Sequence, residues 1–370
     1  METDEIRLAR AALHYWEEPC ISGVSGSGAV FFSGCNMRCV FCQNAHIASG
    51  EIGRTVSVGR LSEIFLELQE QGANNINLVT PSHYVPQIRE ALLAVRGRTL
   101  HIPVVYNSSA YESPETLRLL DGLVDIYLPD FKYWSGDLAA EYSKAPDYRE
   151  RAQEALEEMY RQTDSAVIGE DGLMKRGMIV RHLVLPGSRK DSMEVVRYLY
   201  ETYGDNIYIS ILNQYTPMPD IKERCPKLAR KVTTFEYDSV IKYAMDLGVV
   251  HGFTQTGEAV GESFIPAFDY EGVERKALML LYIRSSDIIE PYAFVDQHSA
   301  DDALDQILRL RQEVDDRDIQ RCVMDEQKCH RQCYHPDIAA VKQERDDGLT
   351  AGTQREIRSV REGEQRHADS

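Results

Sequence analysis

The 370-residue chain is expected to form an α/β fold, a partial (β/α)6 TIM-like barrel followed by a polar C-terminal extension. Three observations lead there. From residue 28 to about 255, short apolar runs alternate with amphipathic stretches of helical period. Most of those runs are apolar along their whole length, as in parallel strands covered by helices on both faces. A cysteine-rich loop closes the first of them, and barrels of this kind gather their chemistry at the C-terminal ends of strands. A doubly wound sheet shares the first two features; the number of units and the position of the loop favour the barrel.

Taken in order, the first 25 residues read as polar and helical and end in EEPCISG. AVFFSG is the first strand, ending at the cysteine loop. RLSEIFLELQEQGA is a helix before the strand NINLVT, and YVPQIREALLAVRG a helix before HIPVVYN. SPETLRLLDG carries a serine cap, a proline at the first helical position and a terminal glycine, and leads into LVDIYLPDF. DYRERAQEALEEMYRQT precedes GMIVRHLVLPG, SRKDSMEVVRYLYETYG precedes NIYISILNQY, and EYDSVIKYAMDLG precedes VVHGFTQ. ERKALMLLYIRSSDIIEPYAF reads as a closing helix. The catalytic domain is drawn as 1–290, and 291–370 as an acidic extension, partly disordered because its last thirty residues have almost no apolar content.

A formal charge of -18 disfavours non-specific binding to nucleic acid or anionic membranes. No charged leader with an apolar stretch and no apolar run of spanning length is evident, so the expected location is cytoplasmic. The 8 cysteines are too few and too clustered for a disulfide scaffold in a chain of this length.

Cys35, Cys39 and Cys42 fall in SGCNMRCVFCQN, where three thiolates can face one point from a tight loop. Two readings fit that spacing. A structural zinc site needs a fourth ligand, for which His46 is near. A [4Fe-4S] cluster normally takes four thiolates, and with three it keeps one iron open to an outside ligand. Polar residues stand at the expected strand ends: Thr80, Ser82, His83, Asn107, Asp130, Lys132, His182, Asn213, Gln214 and Gln255.

Cys35-x3-Cys39-x2-Cys42, with Phe41 before the last cysteine and Gln43-Asn44 after it, resembles the signature of the radical S-adenosylmethionine superfamily. EEPCISG, GSGAVFFSGCNMRCVFCQN, PDFKY, RHLVLPG and NQYTPM resemble the branch related to pyruvate formate-lyase activating enzymes. The resemblance implies that the three cysteines bind a [4Fe-4S] cluster whose open iron takes S-adenosylmethionine. Reductive cleavage of that cofactor gives a 5'-deoxyadenosyl radical for hydrogen abstraction. It further implies a low-potential flavodoxin or ferredoxin as electron donor, and a glycyl-radical enzyme as protein substrate; the alternatives are radical modification of a small molecule, or a non-catalytic zinc-binding interaction protein. Asp130-Phe131-Lys132 resembles an Asp-x-Lys segment beside the cofactor, and His182 matches a position that faces it. Asn107, Asn213 and Gln214 are further cofactor-binding candidates. The superfamily's glycine-glycine-glutamate segment has no counterpart in NLVTPSH, where Thr80, Ser82 or free carbonyls stand in.

The remaining motifs have plainer readings. GVSGSG precedes a strand rather than following one, so it is a turn and not a phosphate loop. Cys20 reads as a buried thiol and Cys225 as structural. Cys322, Cys329 and Cys333, with His330 and His335, form a group able to take a second metal or none, at a spacing that matches no familiar site.

Overall fold

The structure, a computed structural model, describes residues 5–255, 266–275, 281–285 and 288–292. The chain divides into two compact units, Met1–Lys276 and Ala277–Ser370. The sheet of the first unit contains β1 (Ile6–His14), β2 (Ser27–Phe32), β3 (Arg54–Val56), β4 (Ile76–Val79) and β5 (Val104–Ser108). It continues with β6 (Ile126–Pro129), β7 (Val167–Ile168), β8 (Met174–Leu183), β9 (Tyr208–Leu212) and β10 (Gly252–Thr254). Their order is β10-β9-β8-β6-β5-β4-β2-β1-β3, with β7 on β8. From β2 to β10 the path is parallel throughout.

The expected helix before residue 25 is instead β1, which pairs antiparallel with both β2 and β3. Its burial hid the strand period. A register shift between Leu8 and Arg10 lets the neighbours Leu8 and Ala9 both be buried, so apolar residues do not alternate. In the second unit the expected closing helix is also replaced, by the antiparallel hairpin Leu281–Ser285 and Ile288–Tyr292. The cysteine and histidine group at 322–335 lies outside the described residues.

Helices return the chain between the parallel strands, and several start where a hydroxyl caps a free N–H. Ser57 caps Val58–Glu70, Ser113 caps Pro114–Arg118 and Ser135 caps Gly136–Ser143. Thr233 and Glu236 form a capping box at Thr234–Leu247. The helices pack on one face of the sheet through residues such as Leu61, Ile88, Leu156, Val195 and Val240, all fully buried.

The other face turns inward. Successive strand residues point to opposite sides. Val104, Tyr106, Met178 and Val180 therefore meet the helices, while Val105, Ile126, Leu128 and Ile179 meet one another and Cys20 inside. Higher up, the inward positions become polar: Asn107, Arg181 and Ser210. Residues from β2 through to β10 line one cavity, so the sheet curls round it, yet β10 and β3 remain its two edges. This is the partial barrel expected from the βα rhythm.

Candidate active site

The cysteine loop leaves β2 through Gly34, whose φ of 101° lies in the region glycine occupies freely. Met37 and Phe41 anchor it in the core, at 3% and 9% exposure, so Cys39 between them and Cys35 and Cys42 on either side are held at the surface of the cavity. The loop is fastened to the helix Gly136–Ser143 by Val40 N–H donating to the Tyr142 carbonyl at 2.8 Å. Cys35, Cys39 and Cys42 all line the cavity, and none is in a disulfide.

Two of the sulfurs accept a hydrogen bond: Met37 N–H reaches Cys35 Sγ at 3.4 Å, and the Ser143 hydroxyl donates to Cys39 Sγ at 3.0 Å. Burial pushes the Cys35 thiol up, and burial with the neighbouring Cys39 pushes Cys42 up to about 11. The Lys132 ammonium acts in the opposite sense on both. Sulfurs supplied with donors and a nearby cation suit bound thiolates. Among the described residues no three His, Cys, Asp or Glu donors converge tightly enough to hold one metal ion. A cubane cluster asks less of them, since it takes one thiolate at each of three separate irons. Three cysteines on one cavity wall are the donor set such a cluster takes.

Asp130 and Lys132 sit just past β6, two residues apart, and both line the cavity. Lys132 Nζ is 2.7 Å from Asp130 Oδ2, and Arg181 Nε is 2.9 Å from Asp130 Oδ1. Burial alone raises the Asp130 carboxyl, but the Arg181 and Lys132 charges outweigh it and leave it below the usual range. The buried Tyr148 hydroxyl fixes this strand end, accepting Lys132 N–H at 2.8 Å and donating to the Asp130 carbonyl at 2.6 Å.

Arg181 continues the network downward, bonding Asn107 Oδ1 at 2.6 Å and Glu17 Oε2 at 3.0 Å. Glu17 also accepts from Asn77 Nδ2 at 2.9 Å and Asn107 Nδ2 at 3.3 Å. Glu18 and Ser210 complete the wall. Arg181, Glu17, Glu18 and Ser210 were not among the candidates expected from the sequence. Glu17 and Glu18 come from the segment after β1 rather than a strand end, and only the inward period of β8 and β9 marks Arg181 and Ser210.

Of the expected cofactor contacts, Thr80, Asn107, Asp130, Lys132 and Gln214 line the cavity, as does Gln255. His182, Ser82 and Asn213 do not. His182 is one position out of register: β8 turns Arg181 and Leu183 inward and His182 outward. It is buried, its Nδ1 2.7 Å from the Phe131 carbonyl, and burial holds the ring below the usual histidine range. Ser82 donates to buried Glu112 at 2.5 Å instead. Asn213 serves through its backbone, donating to Gln255 Oε1 at 2.7 Å, and Gln255 Nε2 is 2.8 Å from Gln214 Oε1. Thr80 has φ 56°, so the strand end takes a glycine-like backbone without glycine.

A solved structure of Streptococcus suis SuiB bound to precursor peptide SuiA has TM-score 0.43 and 15% identity, over 60% of this chain and 47% of that one. A radical SAM methyltransferase from Sphaerobacter thermophilus has TM-score 0.42 and 14% identity, over 62% of this chain and 66% of that one. An uncharacterized protein of Methanocaldococcus jannaschii is 28% identical over 234 residues, 60% of this chain and 64% of that relative. The chain thus spans less than two thirds of the curated relative and about half of SuiB. Residues 29–213, from β2 through the end of β9, match the model of the Radical SAM superfamily. The cysteine loop lies within that match, which takes in half of the chain, and the chain belongs to the radical SAM superfamily.

Proposed function

We propose that this chain is a hydrogen-abstracting enzyme in which Cys35, Cys39 and Cys42 ligate a [4Fe-4S] cluster. The observation that carries the reading is the meeting of three cysteines with the Asp130–Lys132 pair around one cavity of about 400 Å³. Held by Cys35, Cys39 and Cys42, the cluster would supply the electron for reductive cleavage of S-adenosylmethionine to methionine and a 5'-deoxyadenosyl radical. The protein's own residues do the rest. Lys132 offers a cation to the cofactor's carboxylate, and Asp130 holds that ammonium in place. Thr80, Asn107 and Gln214 border the space for the remaining polar groups. The cavity walls exclude water from the reactive carbon, as a radical site requires.

For substrate, the motifs shared with pyruvate formate-lyase activating enzymes favour a protein, activated by hydrogen abstraction from a glycine. A second reading, radical modification of a small molecule, is favoured by the buried charged wall of Glu17, Glu18 and Arg181. A low-potential flavodoxin or ferredoxin of a reducing cytoplasm serves as electron source in both. The test is anaerobic cluster reconstitution with S-adenosylmethionine and a reductant. Release of 5'-deoxyadenosine supports the reading, and a chain that binds no iron and sulfide refutes it. Anaerobic crosslinking that captures a glycyl-radical enzyme, with a glycine radical appearing on it, selects the first substrate reading.

A further inference from the structure

Glu18 brings to the cavity wall a carboxyl with one oxygen unpartnered. The residue is 7% exposed, and the oxygen without a hydrogen-bond partner is Oε2. A buried acceptor left in this state is costly, so it marks a place where a bound group completes the site. Ser210 lines the same wall, and Arg181 and Glu17 stand close enough to act on the carboxyl. Glu17 and Asp130 already take Arg181 and Lys132 as partners. Burial pushes the Glu18 carboxyl up, Arg181 acting against it and Glu17 with it, so the carboxyl favours its neutral form until a cation stands beside it. The position also separates Glu18 from the cysteines. Lys132 stands near the sulfurs, Asp130 joins it to Arg181, and Arg181 joins Asp130 to Glu17. Glu18 in turn acts on Cys20, in the apolar layer beneath.

We propose that Glu18, with Glu17 and Ser210, is a cation subsite that holds a protonated nitrogen of the substrate, an ammonium or a guanidinium. This rests on the hydrogen-abstraction reading and adds to it a substrate class. The charged nitrogen anchors at Glu18, and the carbon that loses hydrogen lies on the side of the cysteines. Such an anchor fixes orientation because a buried carboxylate accepts a charged donor far better than a neutral one. S-adenosylmethionine also carries an ammonium, so the same chemistry has two sources, and the test separates them.

The full-length chain is titrated anaerobically, without cluster, with pentylamine and butylguanidine and with their neutral counterparts pentanol and butylurea. Binding is read by saturation-transfer NMR. The cations are expected to bind at least tenfold more tightly than the neutral probes. Glu18→Gln is expected to remove that tenfold preference and leave the neutral probes unchanged. In the reconstituted protein, Glu18→Gln is expected to leave the affinity for S-adenosylmethionine within twofold. Equal binding of cations and neutral probes overturns the proposal, and so does an unchanged preference in Glu18→Gln. Loss of cofactor affinity with the probe preference intact overturns it in favour of the cofactor's own ammonium. Should the amide variant melt early, the wild-type comparison of each cation with its neutral counterpart decides alone. Because the probes bind the cluster-free chain, their result stands apart from any failure to release 5'-deoxyadenosine.

Discussion

Arg181 is the residue whose removal most directly exposes how the cavity wall is held. Its guanidinium bonds Asp130 at 2.9 Å, Glu17 at 3.0 Å and Asn107 at 2.6 Å, with 15% of the side chain exposed. Arg181→Met keeps much of the apolar stem and deletes the charge, leaving two carboxylates facing each other without their shared partner. Breaking a buried pair in this way costs about 3–5 kcal/mol. At roughly 2–4 °C per kcal/mol for a unit of this size, the melting temperature should fall by roughly 6–20 °C. The loss should depend on pH in a definite direction. Asp130 has its carboxyl held below the usual range in the folded chain, despite burial that raises it, by Arg181 and Lys132. A depressed carboxyl contributes stability above its unfolded value, and that stability is lost as pH falls through the folded value. The variant lacks much of this contribution, so the gap between wild type and Arg181→Met should narrow as pH drops below about 4. Thermal denaturation followed by circular dichroism from pH 8 downward measures it. A loss below about 1 kcal/mol, the scale of an exposed pair, or one that widens on acidification, refutes the account of Arg181 as the keystone of the wall.

Other consequences are equally direct. Single Cys35→Ala, Cys39→Ala or Cys42→Ala substitutions should each leave the purified chain with little iron and sulfide, read by metal analysis and electron paramagnetic resonance, while the melting temperature changes little. Glu112, fully buried between Ser82 and Tyr106, has its carboxyl pushed up to about 7 by burial. A carboxyl raised on folding weakens the fold as pH climbs from its unfolded value through its folded one, by up to about 3 kcal/mol here; Glu112→Gln should flatten that slope in a denaturation series from pH 4 to 8. Thr80 holds φ 56°, a costly conformation for a β-branched side chain, so Thr80→Gly should raise stability by about 1 kcal/mol in urea denaturation.

The parallel part of the sheet was legible because each βα unit carries its own local signals. Ser113 and Pro114 start a helix, and apolar runs such as Val104–Val105 and Ile179–Val180 mark strands buried on both faces. β1 was not, because its pairing with β2 and β3 depends on residues distant in sequence and its bulge breaks the alternation. In the second unit, Leu281–Ser285 and Ile288–Tyr292 read as one helical stretch although they pair as two strands. At the site, the cysteines stood out through their spacing, and the Asp130–Lys132 pair through its resemblance to an Asp-x-Lys segment. His182 drew attention because it matches a position that faces the cofactor in the family it resembles, whereas the pleat of β8 gives the inward position to Arg181. Glu17 and Glu18 lay inside the quoted EEPCISG motif, yet nothing in two acidic residues after β1 marked them as part of a cavity wall until the fold left Glu18 7% exposed.

The three-cysteine site is the centre of the account, and anaerobic reconstitution of the full-length chain tests it most directly. The account predicts about four iron and four sulfide per chain, a cluster signal in electron paramagnetic resonance that changes when S-adenosylmethionine is added, and release of 5'-deoxyadenosine on reduction. A colourless chain that holds zinc without sulfide and leaves S-adenosylmethionine intact would contradict it.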